Sequence, residues 1–229
     1  IDDPAANGVT PLWAAISQGH EEVLLALLEQ QVDANQSVAG FTPLILACRS
    51  GRVEMAGRLL ECGADIAACD TQEQTALHAA AGFLVSDAAR LDSVVLIDAL
   101  FRAGADVASA DKFGQTVMHL LCGAGLQKGQ VLKEGLVLSA LDRVFQESPQ
   151  IDALDARGFT ALHHAAARGY SQLAVRLLRA GADKNLRDNL GRSAYDFAVM
   201  GGFTETADLL QDKPERIDIA SLLVRKDQA

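Results

Sequence analysis

Gly158-Phe159-Thr160-Ala161-Leu162-His163 decides the fold, because the chain repeats this phrase in six variants. The others are Gly8-Val9-Thr10-Pro11-Leu12, Gly40-Phe41-Thr42-Pro43-Leu44, Glu73-Gln74-Thr75-Ala76-Leu77-His78, Gly114-Gln115-Thr116-Val117-Met118-His119 and the weaker Gly191-Arg192-Ser193-Ala194-Tyr195-Asp196. Successive copies lie 32, 33, 41, 44 and 33 residues apart, so the base period is about 33 and two copies are lengthened. Each phrase leads to a paired apolar step: Leu27-Leu28, Leu59-Leu60, Leu100-Phe101, Val144-Phe145, Leu177-Leu178 and Leu209-Leu210. In three copies a glycine stop follows, at Cys62-Gly63-Ala64-Asp65, Ala103-Gly104-Ala105-Asp106 and Ala180-Gly181-Ala182-Asp183. A period in this range marks an array of stacked units.

Local physics gives every copy the same shape. Thr10 and Thr42 can cap a helix through their hydroxyls, with Pro11 and Pro43 at the first helical position, where a missing N–H costs nothing. The helix that follows runs through small residues, as in Ala14-Ala15, Ala79-Ala80-Ala81 and Ala165-Ala166, which let neighbouring units approach closely. Gly51 and Gly169 break to a second helix with apolar residues at helical spacing, as in Leu173, Val175, Leu177 and Leu178. Gly63, Gly104 and Gly181 can take the left-handed conformation that ends it. One unit cannot bury its own apolar face, so the units must stack, giving an all-α solenoid.

Over residues 5–211 these coincident motifs resemble the ankyrin-repeat family. The resemblance implies stacked helix–turn–helix units, with β-turn fingers projecting beside a concave face lined by the first helices. Repeats are expected near residues 5–36, 37–69, 70–110, 111–154, 155–187 and 188–211, together an array over residues 1–211. Residues 212–229 read as a C-terminal capping helix or the start of a linker: Pro214 breaks the chain, and Arg216–Lys226 is amphipathic through Ile217, Ala220, Leu223 and Val224.

The departures from the pattern are specific. Leu25 stands where the outside of a capping repeat would be polar, so further protein is expected before residue 1. Thr206 and Asp208 make the last helix polar enough for a cap. The extra 8 and 11 residues of the two long copies fall between their helices, near Leu84–Leu91 and Gly125–Gly135. They read either as tolerated surface insertions, since loop length costs little entropy, or as one shared lobe, since adjacent repeats place them side by side.

Composition excludes several classes. No run approaches the ~20 apolar residues that span a bilayer, and Ile1-Asp2-Asp3-Pro4 has neither the basic nor the apolar region of a signal peptide. The four cysteines (Cys48, Cys62, Cys69, Cys122) form no Cys-x-x-Cys pair and suit reduced thiols in an intracellular protein. The sequon at Asn35 would matter only in a secreted chain. Cytoplasm is the expected compartment, or host cytoplasm for a bacterial effector. The net charge of −10 is uneven: residues 1–114 hold 6 basic and 16 acidic groups, whereas residues 115–229 hold 14 of each. Acidity disfavours nucleic acid, which needs a basic footprint. A basic cluster (Arg157, Arg168, Arg176, Arg179, Lys184, Arg187, Arg192) reads as a solvated face or as a surface for an acidic partner.

Catalysis finds little support. His78, His119 and His163 recur at one repeat position, about 10 Å apart in a stack of packed helices, too far to share a metal. In the family that this sequence resembles, such a histidine supports turn hydrogen bonds. His164 is expected to point differently, onto the concave face, and His20 sits in an inter-helix turn. Asp70, Asp111, Asp155 and Asp188 open successive repeats as turn residues. No phosphate loop, nucleophile elbow or His-Glu-x-x-His helix occurs, and no cofactor, metal, membrane or small-molecule ligand is expected.

The expected function is therefore a non-catalytic protein-interaction module, acting through its concave face and fingers. The alternative is a regulatory or substrate-targeting domain of an enzyme whose catalytic part lies elsewhere in the polypeptide. By the resemblance, partner contacts fall on finger and first-helix positions: Val38, Phe41, Arg49, Gln74, Phe83, Lys112, Phe113, Gln115, Arg157, Phe159, Arg168, Leu190 and Arg192. Aromatic and arginine side chains are common binding hot spots. Phe41, Phe113 and Phe159 are expected to be exposed at finger sites, the alternative being packing between neighbouring fingers.

Overall fold

A computed structural model describes residues 9–86, 88–89, 91–126, 130 and 132–211. The expected C-terminal helix over 212–229, Gly8 of the first phrase and parts of both insertions lie outside the described residues. Each Thr- or Ser-led phrase opens a helix, and a second helix runs back from a tight turn. The six pairs are α1 (Pro11–Gln18) with α2 (Glu21–Glu29), α3 (Pro43–Arg49) with α4 (Val53–Glu61), and α5 (Ala76–Leu84) with α6 (Asp92–Arg102). Next come α7 (Val117–Leu121) with α8 (Glu134–Phe145), α9 (Ala161–Arg168) with α10 (Ser171–Arg179), and α11 (Ala194–Met200) with α12 (Thr204–Leu210).

Odd-numbered helices pack on odd and even on even along the chain, giving two layers with the core between them. The inner layer is tight because its contact residues are small: Ala47, Ala80, Ala81, Ala165, Ala166 and Ala198 are fully buried. The outer layer supplies larger side chains, with Leu24, Leu59, Leu96, Leu100, Leu141, Leu173 and Leu177 buried between units. Burying such a leucine stabilises by about 1.5–3 kcal/mol each, and only a neighbouring unit provides the cover.

How each first helix starts changes along the array. Thr10 and Thr42 cap through their hydroxyls, accepting from Trp13 N at 3.1 Å and Ile45 N at 3.3 Å. From the third unit a histidine joins the threonine. His78 Nδ1 accepts from the Thr75 N–H at 3.3 Å, so the ring carries its proton on Nε2, which donates to the Gln115 carbonyl of the next unit at 3.0 Å. His119 does the same from Thr116 to Ala153 O and Phe159 O, both at 3.0 Å. His163 reaches from Thr160 to Arg192 O at 3.3 Å. In the last pair Asp196 replaces histidine and caps only its own helix, accepting from Ser193 N at 2.8 Å.

Between pairs the chain makes fingers, built on an aspartate. Asp111 Oδ1 accepts from Phe113 N and Gln115 N, both at 2.9 Å, and Asp155 Oδ1 accepts from Arg157 N and Phe159 N at 2.8 and 2.9 Å. Asp70 and Asp188 hold their turns in the same way. Adjacent fingers bond directly: Lys112 N to Gln72 O at 3.0 Å, Ala156 N to Phe113 O at 2.8 Å and Asn189 N to Arg157 O at 3.1 Å. This stacking explains the repeated glycine. Gly158 has φ +78°, and a Cβ there would lie 2.9 Å from Asn189 N. Glu73 takes the same position in its finger at φ 61°, as Gln31 (φ 58°) and Ser148 (φ 52°) do at helix ends that lack a stop glycine.

The two long connections touch one another. Lys133 Nζ donates to Ala89 O at 2.8 Å, Arg168 donates to Leu126 O, and Val85, Ala89, Leu126 and Leu132 are buried. They form a shared lobe that extends the core beside the inner helices, and α7 ends after five residues where Gly123 and Gly125 lead into it.

Burial lowers the pKa values of His78, His119 and His163, against the raising effect of their carbonyl bonds and nearby aspartates. Their folded pKa values lie below the unfolded value near 6.5, so the native state binds fewer protons there. The stability they confer is present above about pH 6.5 and is lost as pH falls below it. The urea midpoint is expected to drop between pH 7 and pH 5, and less so in a His78→Leu variant. A midpoint that stays flat or rises would contradict the neutral-imidazole assignment.

Candidate functional site

The fingers and inner helices place the expected contact residues on one side of the stack, in three different situations. Val38 is buried, bridging to Phe41 across its own turn. Phe41 is half-buried, with its ring 6.3 Å from Trp13 and the Arg49 guanidinium 5.1 Å above it. Phe159 is only 8% exposed, 4.9 Å from the Phe197 ring and stacked 5.8 Å from His163, with Arg157 over its face at 4.5 Å. The expected exposure of Phe41 and Phe159 is thus corrected. A finger turned back over the inner helix finds an apolar shelf on the unit beside it, and a ring that can reach the shelf is buried.

Phe113 differs. It is 51% exposed, with Lys112 Nζ 5.1 Å from its ring. Its backbone is held on both sides, by Asp111 and by Ala156, so the ring projects from a fixed mount. Leu190 is 75% exposed at the next finger but one.

Two hollows lie along this face. The smaller, about 300 Å³, brings Arg49, Gln74 and Phe83 together with Leu120, Ala124 and Leu126. The larger, about 580 Å³, brings together Phe113, Gln115, Arg157, Phe159 and Arg168, with Gly123, Gly125 and Leu126 on the lobe side. Leu126 and Gly125 border both, so the lobe stands between them. Val38, Phe41, Lys112, Leu190 and Arg192 line neither, though Lys112 stands beside Phe113 at the edge of the larger.

Several charged groups are already committed. Asp155 Oδ2 lies 3.0 Å from His164 Nε2, and both side chains are buried. His164 therefore serves the finger rather than standing free on the concave face. Burial alone would raise the Asp155 pKa, but the His164 bond and the N–H groups of Phe159 and Arg157 outweigh it and hold the carboxyl well below the usual carboxylate range. Gln74 Nε2 serves Asp111 Oδ2 at 3.3 Å, and Arg192 pairs with Asp188 at 2.6 Å while lying over Phe197. Within the basic cluster, Arg176 pairs with Asp142 at 3.1 Å and Arg187 lies 3.8 Å from Asp196. No group of three or more His, Cys, Asp or Glu side chains able to hold a metal occurs among the described residues.

A model described as ankyrin repeats (3 copies) matches residues 1–70 and again residues 35–91. A model described as ankyrin repeats (many copies) matches residues 146–198. The chain belongs to the ankyrin-repeat family. The same helix pairs continue through the intervening residues 92–145, where the lengthened fourth repeat lies. Ankyrin arrays are generally protein–protein interaction modules, and no described helix is long and apolar enough to cross a membrane.

Phe159 lines the larger hollow, and its packing against Phe197 and His163 also makes it a stabilising residue. Phe159→Ala is expected to lower folding stability by about 3 kcal/mol, read from chemical denaturation followed by circular dichroism. Unchanged stability would contradict the packing role.

Proposed function

We propose that this ankyrin array recognises another protein through the fingers and concave face of repeats two to five, with Phe113 as its central anchor. The observation that carries the reading is the exposed ring on a rigid mount beside an open hollow. A large apolar side chain left half in water, its backbone held by hydrogen bonds to Asp111 and Ala156, loses little conformational freedom on binding. Aromatic and arginine side chains around a fixed centre are what a hot spot requires, and here Phe113, Arg157 and Arg168 share one hollow.

The partner on this reading is a protein and not a nucleic acid. The array carries a net −10, and its arginines are largely engaged with its own carboxylates and carbonyls instead of forming a free basic track. Cys48 and Cys122 are buried free thiols, and burial raises the Cys122 pKa to about 12, leaving it unreactive. Cys62 and Cys69 are free and exposed, which suits the reducing cytoplasm.

Phe113→Ala is expected to weaken partner binding by about 2 kcal/mol or more, with little change in unfolding midpoint, since the ring is 51% exposed. Calorimetry on the purified array and denaturation of the same sample check both halves. Normal binding by Phe113→Ala, with binding lost when both connections are shortened to the base period, would move the site to the lobe.

A further inference from the structure

The larger hollow carries a charge opposite to that of the chain. Its rim presents Arg157 and Arg168, with Lys112 beside Phe113. Among the described residues the only carboxylate lining it is Asp155, whose side chain is 1% exposed, accepts from Arg157 N, Phe159 N and His164 Nε2, and lies 3.7 Å from the largely exposed Arg157 guanidinium. That negative charge faces inward and is met by its own turn. The hollow's lining also offers apolar side chains, those of Phe113, Phe159 and Leu126. Gly125 contributes no side chain, and a Cβ built on it would meet nothing within 4 Å, so the space above it is open.

We infer that this hollow receives an acidic peptide segment, which inserts one large apolar side chain between Phe113 and Arg168 and lays carboxylates against Lys112 and Arg157. The inference rests on the protein-binding reading above and narrows its partner. The N-terminal half of the chain, with 16 acidic against 6 basic residues, repels such a segment, whereas this rim attracts it. Repulsion there and attraction here favour this location as well as this partner. The insertion in repeat four is then part of the site: Leu126 forms one wall, and its carbonyl holds Arg168 in place.

The test is selection of a displayed random peptide library on the folded chain, followed by titration of the selected peptides as labelled synthetic probes. Expected are sequences rich in Asp and Glu around a Leu, Phe, Met or Trp. Their affinity should fall about tenfold or more with Phe113→Ala, and with Lys112→Glu combined with Arg157→Glu, and it should weaken as salt rises. Circular dichroism of each variant confirms that the array is still folded. Basic or neutral peptides that depend on Phe113 would overturn the acidic partner while leaving the protein-binding reading intact. Peptides indifferent to Phe113, or none at all, would overturn both. Sedimentation at rising concentration covers a second copy as occupant: self-association abolished by Phe113→Ala would give the hollow to another molecule of this chain and overturn the inference.

Discussion

One buried imidazole per repeat couples the middle of this array. In repeats three, four and five the ring completes a helix cap with one nitrogen and donates with the other to a carbonyl of the following unit. The bond is possible only for a neutral ring with its proton on Nε2, and burial keeps it neutral. Removing it leaves a buried acceptor and a helix N–H unmet together, a loss of about 1–3 kcal/mol for each such group. Repeats one and two, with proline after threonine, lack this link. There Asn35 spans two units instead, accepting from Asp65 N at 2.7 Å. The repeats therefore differ in how firmly each is tied to the next.

The surface follows from that constraint. The imidazole fixes the finger carbonyls, the aspartates fix the finger amides, and backbone bonds between fingers leave their tips little freedom. On such a comb a side chain's exposure is decided by whether the adjoining unit offers apolar cover. Phe159 meets Phe197 and is buried, whereas Phe113, two residues into the preceding finger, has no such ring opposite and stays in water. The lobe from the two long connections adds a wall beside it, turning a flat concave face into two hollows.

Much of this was legible in the residues alone. The period, the helix pairs and the glycine stops follow from local chemistry repeated at fixed spacing, and the structural duty of His78, His119 and His163 follows from the family resemblance. What failed was exposure. Phe41 and Phe159 occupy the same motif position as Gln115 and Arg192, and nothing local to Phe159 says that Phe197, 38 residues later, will lie against it. The pairing of His164 with Asp155 was hidden for a different reason: it joins a finger to its own helix through a turn, and no periodicity marks it. The hollows were out of reach because they depend on how Leu84–Leu91 and Gly125–Gly135 fold against each other, and irregular connections carry no periodic signal.

Native-state hydrogen exchange on the chain and on a His119→Leu variant tests the coupling most directly, since leucine keeps the volume and removes both bonds. In the parent, amides of α5 to α10 should exchange through one common opening, with α1 to α4 opening at lower free energy. In the variant, the Ala156 amide and those of α9 and α10 should separate from α5 and α6 and exchange through an opening of their own. Exchange that stays common to α5–α10 in the variant would show that helix packing alone joins these repeats, and that the imidazole is not what the array depends on.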